Sequence, residues 1–146
     1  MPTARRTRTF AAPREAVWEV VRDPYHLPRW WPRAQRVESV GGDRWTLVLT
    51  TEKGRPVRAD FRALESEKGR RRRFAQDVEG TPFARLLKES VTEIRLEPDE
   101  PGQTRVTIEL AQRLRGVSRL GGFMFTRAGR RTLDEALERL EAAVGG

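Results

Sequence analysis

Gln76, Ser90, Thr92 and Gln112 are the polar side chains with the most to say about chemistry, because each shares a face with apolar residues in a segment of alternating hydrophobicity. A polar group turned toward a core finds a hydrogen-bond partner or costs about 1–3 kcal/mol. Four of them on one face suggest a partly wet cavity; the alternative is that they lie at strand ends, satisfied by backbone or water. Arg127 is the charged candidate. Facing inward it is an anchor for a carboxylate or phosphate, and facing outward it is one more surface arginine.

Acid–base chemistry has little to work with. His26 is the one side chain with an unperturbed pKa near neutrality, and its neighbours Tyr25 and Leu27 identify no nucleophile or carboxylate partner. Asp60, Asp77 and Glu79 fall on the outer face by parity, and Glu89 and Glu93 follow if Ser90 and Thr92 point in. No phosphate loop, nucleophile elbow or metal motif is present. Cysteine is absent, which excludes disulfides and thiolate metal sites. One histidine makes a zinc site a poor match to zinc's ligand habits, so no cofactor and no metal are expected.

The elements that must position these residues follow from hydrophobic periodicity. Pro13 suits a first helical position and Glu15 the first turn of a helix in which Val17, Val20 and Val21 share a face with Trp18 on its shoulder. That helix ends before Pro24. A one-turn second helix then runs from about Tyr25 to Trp31 and stops at Pro32. From Val37 the period becomes 2, as in a sheet with one buried face.

Strands follow around Trp45–Thr51, Val57–Ala63, Arg71–Val78, Ala84–Leu96, with a bulge allowed near Leu86-Leu87, and Val106–Gln112. From about Ser118 the period of 3.6 returns, with Phe125, Gly129, Leu133, Ala136, Leu137, Leu140 and Val144 in one stripe. The expected fold is α+β: a curved antiparallel sheet of about seven strands, in the order β-α-α-β-β-β-β-β-β-α, wrapped around a long C-terminal helix. One domain, residues 1–146, accounts for the length.

A space between such a sheet and its helix is the default ligand site. Parity turns Trp45, Leu47, Ala59, Phe61, Phe74, Gln76, Ser90, Thr92, Ile94, Leu110 and Gln112 toward it, and Phe123, Met124 and Arg127 come from the front of the last helix. Gly116, Gly121, Gly122 and Gly129 loosen that helix's start. The lip Phe123-Met124-Phe125 reads as a gate or a membrane contact, and the glycines equally as a cap or as close packing on the sheet.

The order Ala12-Pro13…Val17-Trp18, then Leu27-Pro28…Trp30-Trp31-Pro32, resembles the opening of the START-like or SRPBCC superfamily, which includes polyketide cyclase/dehydrase-like proteins. The resemblance extends more loosely over the whole chain. It implies a helix-grip fold around an apolar cavity, and it implies Trp31 at the cavity mouth. The function expected first is binding of a small hydrophobic or lipid-like ligand; the alternative is a polyketide cyclase/aromatase-like enzyme.

The third reading is an interaction protein. The net charge is +8, and only Lys53, Lys68 and Lys88 of the 29 basic residues are lysine. Such a bias suits RNA, a ribosome, another protein or lipid headgroups, and it suits a high-GC genome or a hot habitat equally well. Nucleic acid is not the favoured partner, because Arg70–Arg73 has no interleaved aromatics except Phe74. No apolar run is long enough to span a membrane and MPTARRTRTF lacks the apolar stretch of a secretory signal, so the cytoplasm is the simplest address. The sequence leaves peripheral membrane contact and oligomeric state open.

Overall fold

The computed structural model describes residues 2–116 and 119–145; the expected helix start at Ser118 lies outside the described residues. Strand β1 (Thr3–Phe10) leads into helix α1 (Arg14–Val21), a 3-10 turn (Pro24–His26) and helix α2 (Leu27–Trp30). Strands β2 (Ala34–Gly41), β3 (Arg44–Thr50), β4 (Pro56–Ala63) and β5 (Arg71–Asp77) follow. After a second 3-10 turn (Pro82–Arg85) come β6 (Leu87–Pro98), β7 (Thr104–Leu114) and helix α3 (Arg119–Gly145).

All seven strands join one antiparallel sheet in the order β1-β7-β6-β5-β4-β3-β2. The expected seven-stranded helix-grip arrangement is therefore observed. The core fills the space between the sheet's concave face and the helices: Val17, Trp18, Val20 and Val21 from α1, Leu27 and Trp30 from α2, and Leu133, Ala136, Leu137 and Leu140 from α3. Each large apolar side chain buried there contributes roughly 1.5–3 kcal/mol.

Three local details differ from the sequence reading. Pro13 sits one position earlier than expected, at the N-cap with extended ψ (155°), and its carbonyl accepts from the N–H groups of Ala16 and Val17. The turn at Pro24–His26 is separate from α2, and Asp23 caps it by accepting from the Tyr25 N–H at 3.0 Å. Residues 82–85 are not strand. Pro82 starts a 3-10 turn, where its fixed φ and missing N–H cost nothing, and β6 begins at Leu87 with a register shift between Leu87 and Glu89.

Helix α3 lies across β1 and β7. Gly129 is buried there with Ala4 and Leu110 beside it, so this glycine serves close packing. Arg6 and Arg8 of β1 reach Asp134 and Glu141 of α3 at 3.2 and 3.0 Å, flanking that contact. A guanidinium ties α3 to α2: Arg139 donates to the carbonyls of Trp31 (3.1 Å) and Pro28 (3.4 Å) at the end of α2.

Candidate functional site: an apolar cavity at the open end of the sheet

Alternation along the strands places the expected inner residues inside. Trp45, Leu47, Ala59, Phe74, Ser90, Thr92 and Ile94 are buried, and Phe61, Gln76, Leu110 and Gln112 are partly buried. These residues divide into a packed interior and a cavity wall. Trp45 stacks on Phe61 with centroids 5.9 Å apart, and Phe74 meets both edge-on at 5.5 and 5.7 Å. This cluster fills the middle of the concave face, so Phe61 and Phe74 are core rather than wall.

Arg72 extends the cluster. It stands opposite Ile94 in the sheet, with its guanidinium 5.4 Å from the centre of the Trp45 ring. No ion pair involving it is found among the described residues, and burial lowers its pKa from the ordinary arginine value, with the nearby Asp23 acting in the opposite sense. The Arg70–Arg73 run is thus divided by strand parity: Arg71 and Arg73 pair on the outer face with Glu67 and Glu93.

Toward the other end of the strands the concave face is unfilled. A cavity of about 430 Å³ lies between Gln76 of β5, Gln112 of β7, Val57 of β4 and Phe125 of α3. Its remaining wall is the β5–β6 connection, through Pro82, Phe83, Leu86 and Leu87. That connection is shaped locally: Gly80 adopts φ +79°, the Thr81 hydroxyl donates to the Val78 carbonyl at 2.6 Å, and Pro82 turns the chain so that Phe83 faces the opening. The register shift at Leu87 lets both Leu86 and Leu87 border it.

A shallower groove of about 240 Å³ shares Val57 and Phe83 with this cavity and runs past Leu49 to Trp31, Pro32 and Arg33. Trp31 is therefore at the opening, while Trp30, edge-on to it at 5.7 Å, is fully buried. Ser90 stands opposite Gln112 in the β6–β7 register.

The cavity's described walls are largely apolar, and none of the described side chains lining it is ionisable. Its polar groups are the two amides, and the Gln76 Nε2 is buried without a hydrogen-bond partner among the described residues. His26 is elsewhere, its Nδ1 at 3.0 Å from Arg29 and its Nε2 at 3.9 Å from Asp23. No group of three His, Asp or Glu side chains able to hold a metal occurs among the described residues.

The front of α3 departs from expectation. Phe123 and Met124 are 61% and 63% exposed, and Arg127 is exposed with them. They border outer concavities with Arg33, Arg130 and Arg131 instead of the cavity. Phe125 takes the inward place. At about 100° per residue, Phe123 lies on the far side of the helix from the Phe125 stripe, a signal already present in the sequence. Phe83, Leu86 and Leu87 were missed because the strand was expected to begin at about Ala84, where the structure has a 3-10 turn at Pro82–Arg85 and starts β6 at Leu87.

The family described as "Polyketide cyclase / dehydrase and lipid transport" matches residues 1–145. Among solved structures, the di-domain ARO/CYC BexL from the BE-7585A biosynthetic pathway superposes with a TM-score of 0.82 at 25% identity, over 99% of this chain and 47% of that one. A START superfamily protein from Mycobacterium smegmatis gives 0.79 at 15% identity, covering 98% and 97% of the two chains. A protein from Thermus thermophilus gives 0.74 at 22% identity with the same coverage. A comparison with curated protein sequences returned no match. With the family matched from end to end and its sheet, helix grip and cavity in place, the chain belongs to the polyketide cyclase/dehydrase and lipid transport family, in its START-like fold.

Proposed function

We propose that this protein binds a small, mostly apolar ligand carrying a hydrogen-bond acceptor, in the cavity between β5, β7 and the front of α3. The observation that carries the reading is the pairing of an apolar cavity of about 430 Å³ with the unpartnered Gln76 amide on its wall. That volume falls within the usual range for small-molecule sites. Apolar walls supply the affinity through area removed from water, and the amides of Gln76 and Gln112 supply orientation.

Binding is favoured over catalysis because the described residues that border the cavity include no acid, base or nucleophile. The likeness to an aromatase/cyclase domain supports a cyclised or polyketide-like ligand as the alternative occupant. In that case the cavity would act by shaping its substrate.

Native mass spectrometry of the protein as it is produced, followed by solvent extraction, tests the reading. A one-to-one apolar adduct is expected. It should be lost in Gln112→Arg, which places a charge in the opening at a half-exposed position and so leaves the fold intact by circular dichroism. A wild-type protein that carries no adduct and takes up no fatty acid, sterol or aromatic polyketide from a panel would overturn it.

A further inference from the structure

The outer face of the sheet pairs its arginines: Arg44, Arg58, Arg62, Arg73, Arg95, Arg105 and Arg113 each meet a carboxylate. The front of α3 does not. Arg127, Arg130 and Arg131 are exposed, and no ion pair engages them among the described residues. The carboxylates nearby are few. Asp134 is taken by Arg6, Glu52 stands 3.9 Å from Arg33, and Glu135 borders the same concavity.

One turn before these arginines, Phe123 and Met124 leave most of their surface in water. Among the described residues only four large apolar side chains are so exposed, and a third, Leu86, borders the cavity that Phe125 also lines. Arg33 is shared between the groove below Trp31 and the concavity beneath Phe123 and Arg127. Water-exposed apolar tips, the cavity opening and unneutralised arginines thus occupy one end of the molecule.

We infer that this end docks on an anionic lipid surface, with Phe123, Met124 and Leu86 entering the interface and Arg127, Arg130 and Arg131 meeting headgroup phosphates. The order of residues fits. Apolar tips at the start of α3 insert, and long arginine side chains one and two turns later reach back to the headgroup level. Guanidinium forks match phosphate oxygens in pairs. A protein partner would bring carboxylates to discharge the arginines but leaves the apolar rim facing a cavity opening; a bilayer satisfies both. Docking would set the opening against the membrane, so that an apolar ligand passes between lipid and cavity without crossing water. This deepens the ligand-binding reading and rests on it for the cavity's role alone.

Co-sedimentation with vesicles of phosphatidylcholine, alone or mixed with phosphatidylglycerol, tests the inference. The protein is expected to bind the mixed vesicles at least about tenfold more tightly at low salt. Arg127→Ala with Arg131→Ala should weaken that binding about thirtyfold, and Phe123→Ser with Met124→Ser about tenfold. All four positions are exposed, so circular dichroism should be unchanged. Equal binding to neutral vesicles, or wild-type binding by either double variant, would overturn it, as would tighter binding to polyuridylate than to vesicles through the same residues. Gln112→Arg should still sediment with the vesicles. If it does while no ligand is ever found, the docking surface stands and the ligand-binding reading falls.

Discussion

Gly129 of α3 meets Ala4 of β1 so closely that a methyl group on Gly129 would stand 2.9 Å from the Ala4 Cβ. Carbon atoms of side chains do not approach to that distance, so the helix lies on this strand only because both residues are small. The contact fixes the height of α3 above the sheet, one turn beyond Phe125, and therefore the depth of the cavity.

Gly129→Ala gains about 1 kcal/mol of helix propensity and loses more than that to the clash, since overpacking costs about 1–3 kcal/mol. The expected result is a loss of about 1 kcal/mol in urea denaturation. In an Ala4→Gly background the clash is gone, and the same substitution should become stabilising. Additive effects of the two changes would contradict the close contact.

Arg139 supports the opposite side of the opening, because its two bonds hold the carbonyls of Pro28 and Trp31. Arg139→Met keeps the apolar stem and removes both donors. Bonds from a charged donor are worth about 1.5–3 kcal/mol when buried; this side chain is part-buried, so about 1 kcal/mol is expected by chemical denaturation. The released Trp31 should become more accessible to acrylamide quenching than in the wild type. Unchanged quenching with unchanged stability would show that the bonds hold nothing.

Arg72 presents the reverse case, a charge drawn partly out of water that forms no ion pair among the described residues, Asp23 acting on it only from nearby. Its contact with the Trp45 ring returns roughly 0.5–2 kcal/mol, against the cost of removing a guanidinium from part of its water. Arg72→Met preserves the packing against Trp45 and abolishes that cost. The variant is expected to be as stable as the wild type or up to about 1 kcal/mol more stable. A loss above about 2 kcal/mol in thermal or urea unfolding would mean that Arg72 has a partner essential to the fold.

The order of elements was legible because it rests on local signals: the Pro13 to Trp18 face, the alternation through Trp45–Leu49 and Val57–Ala63, and the stripe from Leu133 to Leu140. Inward residues were legible for the same reason, since strand parity is a property of neighbours. What parity does not contain is whether an inward residue borders a void. Phe61 and Phe74 point inward as Gln76 does, yet they pack edge-on against each other and both against Trp45 from another strand. The opening was hidden in residues 84–86, where a 3-10 turn begun at Pro82 takes the place of the expected start of the strand; the irregularity at Leu87 falls where the sequence allows a bulge. Helix phase would have separated Phe125 from Phe123, but the glycines around them drew attention to a lip rather than to its two faces.

The Gln76 amide gives the sharpest test of the cavity, because stability and binding should move in opposite directions there. Its Nε2 is buried without a partner among the described residues, so the empty protein carries the desolvation cost of a donor, about 1–3 kcal/mol. Gln76→Leu removes that donor and retains nearly the same bulk. The empty variant should unfold at higher urea concentration than the wild type. Its affinity for a long-chain ketone should fall about tenfold, since one neutral hydrogen bond in a dry pocket is worth about 1.4 kcal/mol. Binding of the alkane of equal length should not fall, because only apolar contacts are involved. Neither affinity should change between mildly acidic and mildly alkaline pH, as no described side chain lining the cavity is ionisable. Equal losses for ketone and alkane would mean that Gln76 shapes the cavity without donating to its occupant, and a rise or fall with pH would place a charged group at the site that these walls do not contain.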